Sequence, residues 1–77
     1  MKSKVMEILQ DVRADVDFEN ETKLIDNKIL ESFDIISLVG ELSDEFGIEI
    51  GPKEMTAQNF NSVDSITAMV ERLQNEQ

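Results

Sequence analysis

The chain has no cysteine and no histidine, and these two absences exclude several kinds of chemistry. Without cysteine there can be no disulfide and no thiolate metal site. Without histidine the commonest metal ligand and general base is missing. A catalytic triad and a zinc centre are therefore excluded, and we predict neither a catalytic residue nor a metal site.

Glycine, proline and aromatic residues are also scarce. The 77 residues include three glycines, one proline and four phenylalanines, with no tryptophan or tyrosine. This composition argues against long coils and extended sandwiches. Since a chain of this length can form only one small core, which here must be closely packed, we predict a single helical domain over residues 1–77.

Long apolar runs are absent and basic residues are few. No run approaches the roughly 20 residues that span a bilayer, and the start "MKSKVMEILQ" lacks the continuous apolar segment of a signal peptide. Seventeen acidic residues against seven basic ones give a net charge of −10, which repels nucleic acid and anionic membranes. We therefore expect a cytoplasmic monomer with basic protein partners, without nucleic acid binding and without membrane insertion.

Apolar residues recur at the spacing of amphipathic helices in three segments. We predict an all-α bundle of three main helices with a short additional third helix and a long ordered loop between helices one and two. Ser3 and Ser62 are the expected N-caps of the first and last helices, and Gly47 the expected left-handed end of helix two. The predicted elements are helix one at about 3–16, the loop at 17–31, helix two at 32–46, the short helix at about 53–60 and the last helix at about 62–74.

Helix two has two faces of different character. Its predicted core stripe consists of Ile35, Leu38, Val39, Leu42 and Phe46. Phe33 and Ile36 lie outside this stripe, and the segment from Ile29 to Gly51 contains six acids but no lysine or arginine. We therefore predict a docking face for basic partners, which long-range attraction steers and the apolar residues anchor. This docking face consists of Glu31, Phe33, Asp34, Ile36, Ser37, Gly40, Glu41 and Asp44.

Ser32, at the start of this helix, has two possible roles. It can serve as an N-cap, or its hydroxyl can be an attachment point. It cannot be an internal nucleophile, because the chain has no histidine and Lys28 has no visible base partner. If Ser32 reacts, another enzyme must react with it.

The segment "ESFDIISLVGELSDEFGIEI" resembles the helix-two signature of acyl and peptidyl carrier proteins. That signature has Asp-Ser-Leu, an acidic residue, apolar residues at fixed offsets and a final Glu-Phe-Gly-Ile. Ser32 takes the place of its serine, and Phe33 that of its leucine. The positions that keep the spacing without a gap are Asp34, Ile36, Leu38, Val39, Leu42, Phe46, Gly47 and Ile48.

This resemblance implies a 4′-phosphopantetheine arm on Ser32, added from coenzyme A by a phosphopantetheinyl transferase. The thiol of the arm would hold an acyl or aminoacyl thioester for ligases or synthases of fatty acid, polyketide, nonribosomal peptide or related biosynthesis, and the carrier itself would not be an enzyme. Glu31 replaces the usual aspartate, and Lys28 stands where many members have glycine or another small residue. "GEL" at 40–42 is similar to D-alanyl carrier proteins, although the tryptophan common in their third helix is missing. A discrete carrier of a specialised pathway is the resulting expectation.

Two other functions remain open from the residues. Asp15, Asp17 and Glu19 occupy the first, third and fifth positions of an EF-hand-like loop, although Asn20 replaces its glycine and Asp26 its final glutamate. The chain could also be an interaction module that keeps the carrier fold and is never modified.

Overall fold

A computed structural model describes residues 1–76 and places four helices around one apolar core. No strand occurs within these residues, so the predicted all-α bundle is confirmed. The helices are α1 at Lys2–Val12, α2 at Ser32–Phe46, α3 at Ala57–Phe60 and α4 at Val63–Asn75, and a 3₁₀ turn at Pro52–Glu54 precedes α3.

The core lies where α1, α2 and α4 meet, and α3 packs against α4. Of the expected stripe of α2, Leu38 and Leu42 are fully buried and the other three residues pack against the core at its edge. Burying such side chains is the main stabilising contribution available to a chain without disulfides. The buried apolar residues are Val5, Ile8, Leu9, Phe18, Leu24, Leu30, Leu38, Leu42, Ile48, Ile50, Phe60, Val63, Ile66, Met69, Val70 and Leu73.

The segment between α1 and α2 is an ordered loop over this core, as predicted. Leu24 and Leu30 are buried, while Ile25 and Ile29 are half-buried against the core. Asn61 holds the middle of the loop, because its carbonyl oxygen accepts from the Leu24 amide at 2.8 Å and its side-chain oxygen accepts from the Ile25 amide at 2.9 Å. The loop therefore delivers the chain to the start of α2 at a fixed place.

Helix one is shorter than predicted and has a different cap. It ends at Val12, because Arg13 is extended (φ −140°, ψ 94°), and Val16 packs against the core from the loop. Ser3 is not the N-cap, since Met1 occupies that position and Ser3 lies in the first turn. The expected end at residue 16 is thus corrected to Val12.

The predicted short helix at 53–60 is two elements. Thr56 is extended (φ −124°, ψ 155°) and caps α3 by accepting from the Asn59 amide at 3.3 Å, which separates α3 from the 3₁₀ turn. Glu54, at the end of that turn, is buried and pairs with Arg72 of α4. Its hydrogen bond with Arg72 lowers the pKa of Glu54 against the opposing effect of desolvation.

The expected caps at Ser62 and Gly47 are confirmed, and the last helix, predicted at about 62–74, is Val63–Asn75. Ser62 caps α4, since its hydroxyl oxygen accepts from the Ser65 amide at 3.1 Å. Gly47 ends α2 in the left-handed conformation (φ 62°, ψ 39°), where a glycine avoids the steric cost of a Cβ. None of the helices within residues 1–76 is both long and apolar enough to cross a bilayer.

Candidate functional site

Ser32 is the first residue of α2, and the residue before it is the cap. Glu31 is the N-cap, with an extended backbone (φ −100°, ψ 172°). Ser32 is therefore not the N-cap, and that predicted alternative is wrong. Ser32 is exposed, and within residues 1–76 its hydroxyl has no hydrogen-bond partner. The hydroxyl is consequently free to be approached from solvent.

The start of the helix is stabilised by the two acids that flank Ser32. The Asp34 carboxylate accepts from the Glu31 amide at 3.1 Å, the return half of a capping box that an acid at N3 can provide. Negative side chains in the first turn also interact favourably with the helix dipole. Capping thus leaves the Ser32 hydroxyl unused.

Asp34 is held from inside the protein as well as from its own helix. Its Oδ2 atom also accepts from Arg13 Nη1 at 3.1 Å, and only 14% of the Asp34 side chain is exposed. The same Arg13 nitrogen donates to the Ile29 carbonyl at 2.8 Å. The predicted docking face includes Asp34, whereas in the structure its carboxylate is directed toward Arg13.

The apolar part of the docking face is largely exposed to solvent. Phe33 and Ile36 are 79% and 68% exposed, which makes them the two most exposed large apolar residues that the structure describes. Isolated exposed apolar residues are common, but these two are three positions apart on one helix and therefore lie side by side. They form one apolar spot beside Ser32.

The polar members of the docking face divide by burial. Glu31, Gly40 and Asp44 are exposed, whereas Ser37 and Glu41 are half-buried. Burial, followed by a hydrogen bond and charge repulsion from Asp11 of α1, raises the pKa of Glu41. Glu41 therefore has a neighbour within the domain, and Asp44 is the more accessible acid for a partner.

Two of the proposed calcium ligands, Asp15 and Asp17, have other hydrogen-bond partners in the structure. Asp15 accepts from Arg13 Nε and Nη2, both at 3.0 Å, and Asp17 accepts from the Asn20 side chain at 2.8 Å. In the described part of the chain, no group of three or more acidic side chains is arranged to hold a metal ion.

The structural roles of two residues near the site, Arg13 and Lys28, are not predicted by the sequence analysis. Arg13 lies within the predicted helix one. The sequence gives only a weak indication of its role, namely that it is one of only two arginines in an acidic chain. Lys28 was noted as a departure from a small residue, and it has a positive φ of 58°. A left-handed residue at this point turns the loop toward α2, so the glycine of many family members has a physical explanation.

The residues at the start of α2 fit a phosphodiester on Ser32. The hydroxyl is exposed, it lies at the N-terminus of a 15-residue helix, and amide groups there favour bound anions. The nearby Glu31 carboxylate would repel the negatively charged phosphodiester, whereas the charge of Asp34 is offset by its pairing with Arg13. The arrangement thus offers an accessible nucleophile with one of its two neighbouring acids compensated.

Known bacterial proteins are similar to this chain over nearly its whole length. The D-alanyl carrier protein of Lactococcus lactis subsp. lactis (strain IL1403) is 30% identical over 99% of each chain. D-alanyl carrier proteins 1 and 2 of Lactiplantibacillus plantarum are 34% and 33% identical, over 95% and 96% of this chain and 92% and 94% of theirs. No protein-family model matches the chain. The resemblance predicted from the α2 motif is confirmed by these relatives.

Proposed function

We propose that Ser32 carries a covalent 4′-phosphopantetheine arm, because the chain belongs to the phosphopantetheine-binding carrier protein family that includes its D-alanyl carrier relatives. The observation that carries this assignment is the exposed Ser32 hydroxyl at the first position of α2, which capping leaves free. When bound, the arm supplies a terminal thiol that holds the cargo as a thioester.

Attachment requires an external enzyme. The Ser32 oxygen attacks the pantetheine-side phosphorus of the coenzyme A pyrophosphate, a new phosphodiester forms, and adenosine 3′,5′-bisphosphate leaves. In this proposal the serine proton goes to a base of the transferase, and this chain has no histidine to accept it. The domain contributes the nucleophile, its position and a surface for the enzyme, and we propose no catalysis by the domain itself.

The cargo that we propose is a D-alanyl group. From the sequence alone, both acyl and aminoacyl cargo are possible, in fatty acid, polyketide, nonribosomal peptide or related biosynthesis. The similar proteins are D-alanyl carriers, which favours the aminoacyl choice and gives no support to those three pathways. The "GEL" segment at 40–42 supports the same choice. A ligase that activates D-alanine would then load the thiol.

The composition of the docking face favours partner enzymes with basic surfaces. Phe33 and Ile36 form an apolar spot, and exposed acids such as Glu31 and Asp44 lie on the same helix. A transferase and a ligase would be attracted over a distance by the net charge of −10 and held by the apolar spot. The cytoplasmic location and monomeric state expected from the sequence belong to this proposal.

The test is modification followed by loading. Incubation with coenzyme A and a broad-specificity phosphopantetheinyl transferase should add the mass of one phosphopantetheinyl group. Ser32→Ala should abolish the gain, while Ser43→Ala, on the same helix but outside the docking face, should keep it. With ATP and a D-alanine ligase, the modified protein should gain D-alanine in a hydroxylamine-sensitive linkage and L-alanine poorly.

The outcomes separate the proposed steps. No mass gain with several transferases would support the unmodified interaction module instead. Modification of Ser32 followed by loading of fatty acids in place of D-alanine would keep the carrier assignment and overturn the proposed cargo.

A further inference from the structure

Arg13 joins the two chain segments that flank Ser32. Its Nη1 atom donates to the Ile29 carbonyl at 2.8 Å, three residues before the serine, and to Asp34 Oδ2 at 3.1 Å, two residues after it. Asp34 Oδ2 in turn accepts from the Glu31 amide at 3.1 Å. One guanidinium thus fixes the end of the loop, the cap residue and the first turn of α2 with respect to one another.

The other edge of the guanidinium is anchored separately. Arg13 Nε donates to Asp15 Oδ1 and Arg13 Nη2 donates to Asp15 Oδ2, both at 3.0 Å. This bidentate arrangement sets the orientation of the planar group. The Arg13 side chain is 30% exposed, Asp34 14% and Asp15 70%, so the pair with Asp34 is partly shielded from water whereas the pair with Asp15 lies at the surface. Exposed ion pairs hold side chains weakly, whereas partly buried pairs with several hydrogen bonds hold them better.

Arg13 also explains how an acid can stand beside the attachment point. Asp34 caps the helix start, but an unpaired carboxylate there would repel the phosphates of an incoming donor. The pairing with Arg13 offsets this charge while leaving the capping bond to the Glu31 amide in place. Loss of Arg13 would therefore both loosen the segment and restore the repulsion.

We infer that Arg13 is a positioning residue for the modification of Ser32. It does not contact the serine and acts through Ile29 and Asp34, which set where the hydroxyl lies relative to α1. Because misplacement of a reacting atom by about 1 Å can cost up to about 100-fold in rate, we expect Arg13→Ala to lower kcat for phosphopantetheinyl transfer about tenfold. This inference rests on the proposed function.

The split between kcat and KM separates positioning from general stability. A variant that is partly unfolded supplies less folded substrate, so its apparent KM rises while kcat at saturation stays the same. Arg13→Ala should instead lower kcat, with KM for the carrier protein changed less than about twofold, because Phe33 and Ile36 still present the apolar spot. Circular dichroism before each assay gives the folded fraction.

The chain offers a matched control for the change in charge. Arg72→Ala removes the only other arginine, which lies on α4 and pairs with Glu54 of the 3₁₀ turn and with Glu76, and it should leave kcat of the folded fraction unchanged. Arg13→Lys should restore part of the rate, since a lysine keeps the charge but not the planar fork.

The results that would overturn the inference are specific. Wild-type kcat in a folded Arg13→Ala protein, or an equal fall in kcat for Arg72→Ala, would show that Arg13 does not position the serine. In either case the wild-type protein is still modified and Ser32→Ala is not, so the proposed function stands. If the wild type itself accepts no phosphopantetheine, the proposed function fails first, and this inference fails with it.

Discussion

Replacing Phe33 with alanine should weaken docking of the transferase without affecting the fold. Full burial of a phenylalanine side chain is worth about 1.5–3 kcal/mol. Phe33 is 79% exposed in the free domain, so most of this free energy, about 1–2 kcal/mol, is available when a partner covers it. Since 1.4 kcal/mol is about a tenfold change in affinity, we expect KM for phosphopantetheinyl transfer to rise about tenfold in Phe33→Ala.

The assay measures initial rates of phosphopantetheinyl transfer over a range of carrier concentrations. The kcat should stay within about twofold, because the Ser32 hydroxyl and the residues that hold it are unchanged, and the free energy of unfolding in urea should change by less than about 0.5 kcal/mol, as for most surface substitutions. Met55→Ala is the matched control, since Met55 is another exposed apolar residue, 43% exposed, that lies outside α2. An unchanged KM in Phe33→Ala, or an equal rise in Met55→Ala, would refute the docking role of this face.

Three further predictions concern charge, pH and backbone conformation. Asp44→Lys should raise KM for the transferase severalfold at low salt, with a smaller effect at high salt, whereas Glu71→Lys on α4 should not; equal effects would mean that only net charge matters. Asp11→Asn should stabilise the domain at pH 7, because burial and, after it, Asp11 raise the pKa of Glu41. This gain should vanish on acidification through that raised pKa to below about 4.5, where Glu41 is protonated in both states, and a gain independent of pH in urea unfolding would contradict the pairing. Gly47→Ala should destabilise the domain by about 1 kcal/mol in the same assay, since a Cβ there meets no atom within 4 Å and the strain comes from φ 62° alone.

Local pattern was enough to predict helix two and the features it presents. The helical spacing of its apolar residues predicted the bounds at Ser32 and Phe46, and Gly47 marked the end by its conformational freedom. The same spacing left Phe33 and Ile36 outside the core stripe, and both are exposed. These features follow from neighbours along the chain, which a sequence shows directly.

What the sequence did not predict depends on contacts between distant residues. Val12 and Val16 are at helical spacing, which favoured a helix to residue 16, but Arg13 leaves the helix and binds Asp34, 21 positions further on. A gain from such a contact has no local signature, and it outweighs the propensity of a few residues. The same kind of contact, between Asn61 and the loop amides, holds the loop ahead of α2.

The N-cap of α2 and the attachment point that we propose are different residues, Glu31 and Ser32, and their positions give a physical reason for this. A serine at the N-cap would engage its oxygen with an amide of the first turn, as Ser62 does at the start of α4. At the first helical position, one residue later, the Ser32 hydroxyl keeps the favourable potential of the helix N-terminus but has no capping bond to break. Glu31 and Asp34 take over the capping, and their negative charge would disfavour a phosphodiester between them. The pairing of Asp34 with Arg13 reduces that charge, so the helix start and, in our proposal, the modification of Ser32 both depend on a contact with the opposite end of the loop.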